Sequence, residues 1–186
     1  MAKLPDPTPS LSAADRALYA RMAAVRAHAD GRATLGNVYI TMFNNPGVAE
    51  KVGALGEQLR FHGVLPEAVR QLAILRHAAR EKYRYVWSHH QREAKLAGVD
   101  QATIDDITMG NLPTTLPDAT QAVLQAVDAV AAKQSIPDEV QQRIVDAMGT
   151  AGVVEIVVLC GLYAMMGDMV ISFDIALEQG LQRAPF

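Results

Sequence analysis

Tyr85-Val86-Trp87-Ser88-His89-His90-Gln91-Arg92-Glu93-Ala94-Lys95-Leu96-Ala97-Gly98 holds the only tryptophan of the chain and two of its five histidines in a helical pattern. At about 100° per residue, Tyr83, Val86, Trp87, His90, Ala94 and Ala97 share one arc, while Tyr85, His89 and Arg92 lie opposite. The imidazole of His90 is therefore expected to point inward and to need a partner, a backbone carbonyl being the simplest. His89 is the solvent-facing member of the pair. Gly98 ends the helix.

Working outward, the chain reads as helices separated by short breaks. Ser12 precedes a pattern with Leu18, Met22 and Val25, expected to stop at Asp30-Gly31. Asn44-Asn45-Pro46 opens a helix running to about Phe61, and Gly63-Val64-Leu65-Pro66-Glu67 closes it and opens the next. Pro117 to about Lys133 and Pro137 to Met148 repeat this opening of proline followed by an acid, and a last helix is expected from Val153 to Glu178. No segment alternates with a period of two, so the fold class is all-α. Leu65 to Gln71 and Ile136 to Gln142 share a helix-opening pattern, which either reflects a duplicated helical hairpin or arises by chance.

Composition narrows the function classes. The chain has 186 residues, half of them hydrophobic, which suits one domain over residues 11–186 behind a Pro-rich arm at residues 1–10 that is expected to be flexible. That arm has no apolar stretch of signal-peptide type. With 17 Lys and Arg against 20 Asp and Glu and no basic cluster, nucleic acid is not an expected partner. The apolar run from Ile156 to Gly167, flanked by Glu155 and Asp168, reads as too short for a bilayer, so no membrane partner is expected. Cys160 is the single cysteine, which fits a reducing cytoplasm and excludes Cys-x-x-Cys chemistry. Its place inside the apolar run makes it structural.

The order Asn44-Asn45-Pro46, Arg60-Phe61-His62-Gly63-Val64-Leu65-Pro66, Leu72-Ala73-Ile74-Leu75, Tyr85-x-Trp87-x-x-His90 and Ala94-x-x-x-Gly98 resembles the carboxymuconolactone decarboxylase family of the AhpD-like superfamily. The resemblance runs from about Asn44 onward and includes Glu155 to Tyr163. It implies an AhpD-like helical domain assembled into dimers, trimers or hexamers, with a small-molecule pocket near the histidine. In the peroxidase branch a Cys-x-x-Cys pair precedes that histidine, and a glutamate stands on the preceding helix. Here the cysteine positions hold Tyr83 and Val86, and the glutamate position holds Gln71. The chain thus resembles the branch without the cysteine pair, and alkylhydroperoxidase activity is the least supported of three readings.

The leading expectation is a decarboxylase-like enzyme acting on a small carboxylated lactone or related acid, with His90 as general acid or base. Loss of carbon dioxide leaves a dienolate, whose oxyanion Tyr83 or Tyr85 could stabilise: Tyr83 shares the stripe of His90, whereas the family motif points to Tyr85. Gln71, Trp87 and His62 are the candidate substrate-binding residues, although ordinary surface or core positions are the favoured reading of His62 and His77. The alternative is an oligomer that binds a small ligand without turnover. His89-His90-x-x-Glu93 has the spacing of a metal pair but no matching acidic helix, so no metal or other cofactor is expected. Met165, Met166 and Met169 read as packing residues. The apolar run further predicts a homo-oligomer, because one small domain cannot cover it on every side. Sedimentation equilibrium at micromolar concentration should give a dimer or larger species, and a monomer there would overturn the expectation.

Overall fold

The computed structural model describes residues 4–26 and 34–186, with eight α-helices and no strand among them. The helices are α1 (Ala13–Val25), α2 (Asn37–Met42), α3 (Pro46–Phe61), α4 (Glu67–Glu81), α5 (Arg84–Leu96), α6 (Gln101–Met109), α7 (Asp118–Ala131) and α8 (Asp138–Phe173). The chain divides into two compact units, Met1–His62 with Asp168–Gly180, and Gly63–Gly167 with Leu181–Phe186.

Within the first unit, local hydrogen bonds set the helix starts. The Ser12 hydroxyl oxygen accepts the Asp15 N–H at 3.1 Å, and the Asn45 side chain accepts the Val48 N–H at 3.3 Å just ahead of Pro46. Helix α1 ends at Val25, and the stop expected at Asp30-Gly31 lies outside the described residues. The described part of the N-terminal arm carries a 3-10 turn at Thr8–Ser10, and the Pro5 carbonyl accepts from Asn44 Nδ2 at 3.2 Å. Gly53 of α3 lies so close to Met22 of α1 that a Cβ there would come within 2.4 Å of the Met22 methyl. Helix α2 has only six residues, too few to show the periodicity on which sequence reading depends.

Helix α4 forms the centre of the second unit. Every residue from Arg70 to Ala79 is buried, and α5, α6 and α7 pack against it. Arg76 is answered within this core: Nε and Nη2 donate to Asp128 of α7 at 2.8 and 2.6 Å, and Nη1 donates to the Asn111 carbonyl at 2.6 Å. Arg80 donates to the same carboxylate from Nε at 2.8 Å. Burial alone pushes the Asp128 carboxyl upward, but the hydrogen bonds from the two guanidiniums outweigh it and hold the group below its ordinary value. Helix α6 was not expected from sequence, although its punctuation is legible there. Asp100 caps it by accepting the Thr103 N–H at 2.9 Å, and Gly110 ends it at φ 91°.

The two helices expected at Pro137 to Met148 and Val153 to Glu178 meet within α8 at a break at Gly149, and the second ends at Phe173 rather than Glu178. Asp174, at φ 50°, leaves helical geometry, and the Glu178 carboxylate accepts the Asn37 N–H at 2.6 Å. Helix α8 contains an 18-residue window of mean hydropathy 2.0, longer than the apolar run read from sequence, and by length and composition alone it could cross a bilayer. Within the second unit Ile156, Leu159, Cys160, Leu162 and Met166 are buried, whereas Val154 and Val157 are exposed.

Gly149 interrupts α8 at φ 70° and ψ 176°, a backbone region open essentially to glycine alone. Gly149→Ala should therefore cost about 1–3 kcal/mol even though no atom lies within 4 Å of the added Cβ. Urea denaturation monitored by circular dichroism would measure this, and an unchanged midpoint would show that the break relaxes freely.

Candidate functional site

His90 occupies the second turn of α5, and α4 supplies its partner. Nδ1 lies 2.8 Å from Gln71 Oε1, and the ring meets Tyr163 of α8 edge to face, with centroids 4.7 Å apart. The partner is thus a side-chain amide rather than the backbone carbonyl considered from sequence. Gln71 is buried and occupied at both ends, since its Nε2 donates to Glu67 Oε1 at 3.1 Å. Glu67 Oε2 accepts from Arg70 Nη2 at 2.5 Å. One turn of α4 therefore carries a linked row of Arg70, Glu67 and Gln71 that ends on His90. An amide cannot take a proton from imidazole as a carboxylate can, so Gln71 orients the ring and relays nothing.

The other residues singled out from sequence stand as follows. Tyr83 is the N-cap of α5, at φ −78° and ψ 79°, so the helical stripe does not extend to it. Its ring faces His77 at 6.0 Å, and the Gly167 backbone lies against it so closely that a Cβ there would come within 2.2 Å. Tyr85 is buried rather than solvent-facing and lies against the half-buried His89 at 4.5 Å. Trp87 is 1% exposed, donates from Nε1 to Thr108 Oγ1 at 2.9 Å and meets Phe186 edge to face at 6.2 Å. It is bound into the packing of the unit. His62 is an exposed C-cap of α3 in the first unit, and its carbonyl accepts from Gln58 Nε2 at 3.2 Å.

Two residues of this arrangement were missed from sequence. Glu67 stands four residues before Gln71, the spacing at which helical side chains meet. Tyr163 is the one aromatic residue in the apolar run of α8, where it reads as core. Only the crossing of α5 and α8 turns it toward His90.

Burial sets the state of the nearby titratable groups. His77 is 2% exposed, and desolvation pushes its pKa below the ordinary imidazole value. Burial pushes the Cys160 thiol up to about 12. No group of three or more His, Cys, Asp and Glu side chains among the described residues is placed to hold a metal ion. A cleft of about 650 Å³ lined by Arg80, Glu81, Asp128, Gln134 and Pro137 lies in the same unit and does not include His90.

Comparison with known proteins bears on this geometry. Residues 46–129, which carry α4, α5 and the Gln71–His90 pair, match the carboxymuconolactone decarboxylase family. The fold is AhpD-like: an AhpD-core, peroxidase-related protein from Ralstonia eutropha JMP134 superposes with a TM-score of 0.79 at 14% identity, over 96% of this chain and 93% of the other. The debrominase Bmp8 in complex with 2,3,4-tribromopyrrole superposes with a TM-score of 0.73 at 15% identity, over 91% and 90%. A protein of unknown function from Agrobacterium tumefaciens, described as a putative antioxidant defence protein AhpD, gives 0.63 at 18% identity, over 73% and 94%. No curated protein matches the chain.

The cysteine positions of the peroxidase branch hold Tyr83 and Val86, and the remaining thiol is buried. Cys160 should therefore resist iodoacetamide at pH 8 in the native protein and react on unfolding, with mass spectrometry as the readout. Alkylation of the folded protein at the rate of a free thiol would overturn this assignment.

Proposed function

We propose that this carboxymuconolactone decarboxylase-like chain removes carbon dioxide from a small carboxylated lactone or related acid, with His90 handling the proton. The observation that carries the reading is the Gln71–His90 hydrogen bond, which fixes an imidazole on the α5 face nearest Tyr163 without a thiol for it to serve. Departure of carbon dioxide leaves a dienolate, and the step completes when an acid protonates carbon. The imidazolium of His90 is that acid, and a tyrosine hydroxyl, Tyr83 or Tyr85, steadies the oxyanion.

Peroxide reduction would need an attacking thiolate and a second thiol to close the cycle, and the single buried thiol supports neither. Bmp8 takes a small unsaturated ring, 2,3,4-tribromopyrrole, on a similar fold, which favours a small planar ring as the ligand class here. The exposed Val154 and Val157 on α8 favour self-association of the chain.

His90→Gln should retain fold and ligand binding while lowering the rate of carbon dioxide release from carboxylated lactones by about 100-fold or more. Unchanged turnover in this variant would remove His90 as the acid. Wild-type protein that binds such lactones and releases no carbon dioxide would make the chain a small-ligand-binding protein instead.

A further inference from the structure

We propose that Glu67, acting through Gln71, decides which nitrogen of His90 exchanges the proton, making Glu67 a positioning residue of the site and Arg70 its anchor. The inference begins with the carboxylate. Glu67 shares Oε2 with Arg70 Nη2 at 2.5 Å, and the Arg70 side chain is 5% exposed. A carboxylate paired with a guanidinium only accepts hydrogen bonds. The Gln71 amide atom 3.1 Å from Glu67 Oε1 must therefore be the donor, Nε2. That leaves the amide oxygen toward His90, 2.8 Å from Nδ1. An amide oxygen also only accepts, so the hydrogen in this contact belongs to Nδ1.

A neutral imidazole carries one N–H, so Nε2 is then the nitrogen with the lone pair. When His90 is protonated and acts as an acid, losing the proton from Nε2 leaves the Nδ1–H to Gln71 bond intact. Losing it from Nδ1 would set a bare nitrogen against an amide oxygen, acceptor against acceptor. The row Arg70, Glu67, Gln71 thus commits proton exchange to Nε2, using an amide that carries no charge. This catalytic consequence rests on the decarboxylase reading above, whereas the tautomer does not.

One isosteric substitution should invert the arrangement. In Glu67→Gln, Arg70 retains the oxygen of the new amide, whose nitrogen then faces Gln71. Gln71 must turn its oxygen to meet that donor and present its own Nε2–H to His90. Nδ1 becomes the acceptor, and the hydrogen moves to Nε2. Adding Gln71→Glu to the same chain places a carboxylate between two donors and restores Nδ1–H at the wild-type net charge.

The test is nitrogen NMR on ¹⁵N-histidine-labelled protein, at a pH where the shifts show the His90 ring to be neutral. In the wild type Nδ1 should resonate in the pyrrole-type position and Nε2 in the pyridine-type position. The two should exchange positions in Glu67→Gln and return in Glu67→Gln/Gln71→Glu. Melting curves establish that each variant is folded. A pyridine-type Nδ1 in the wild type would overturn the proposal without any variant, as would an unchanged pattern in folded Glu67→Gln. In the carbon dioxide assay, kcat should fall in Glu67→Gln with KM retained, and should recover in the double variant. If the wild type releases no carbon dioxide, the decarboxylase reading fails, while the NMR pattern still decides this inference.

Discussion

Helix α4 is buried along its length from Arg70 to Ala79, and that burial governs the second unit. A buried polar group left without a partner costs stability, so Arg76 and Gln71 of α4 draw specific answers. Arg76 draws Asp128 and the Asn111 carbonyl, which ties α7 and the segment after α6 to α4. Breaking such a pair from one side typically costs about 3–5 kcal/mol, because the remaining charge stays buried. Gln71 draws Glu67 on one side and His90 on the other. The lowered pKa of His77 follows from the same burial.

The site is a by-product of this packing in a precise sense of cause. Helix α5 is held to α4 over most of its length and is itself buried at Tyr85, Val86, Trp87 and Ser88, with Trp87 tied to Thr108 and Ser88 accepting the Ala184 N–H at 3.2 Å. Lys82 lies over the Phe186 ring at 4.8 Å, so the final residues also pack at the start of this helix. With α5 clamped at both its start and its Trp87 face, the position of His90 is set before any ligand arrives, as the proposed proton transfer requires. Tyr163 closes one side of the ring from α8.

Likeness to a family and likeness of fold constrain the chemistry to different degrees. The AhpD-like fold is shared with proteins described as peroxidase-related and as a debrominase, so architecture alone does not select a reaction. Selection rests on side chains. A buried thiol pushed up to about 12, with Tyr83 and Val86 at the positions that the resemblance gives to the cysteine pair, does not suit thiol chemistry.

What the sequence by itself determined is local. Ser12, Pro46, Gly98 and Pro117 mark helix ends because capping bonds and φ restrictions act within about four residues, and those boundaries were legible. The inward face of α5 was legible for the same reason, since Val86, Trp87 and Ala94 repeat at helical spacing. Tyr83 escaped that logic because the chain enters α5 only after it, and α2 was too short to carry a period. Tertiary structure alone decided the partners of His90. Gln71 lies 19 residues before it and Tyr163 lies on another helix, so only the crossings of α4, α5 and α8 bring them together. Periodicity tells which way a side chain points. What it meets depends on helix crossings that no local pattern encodes.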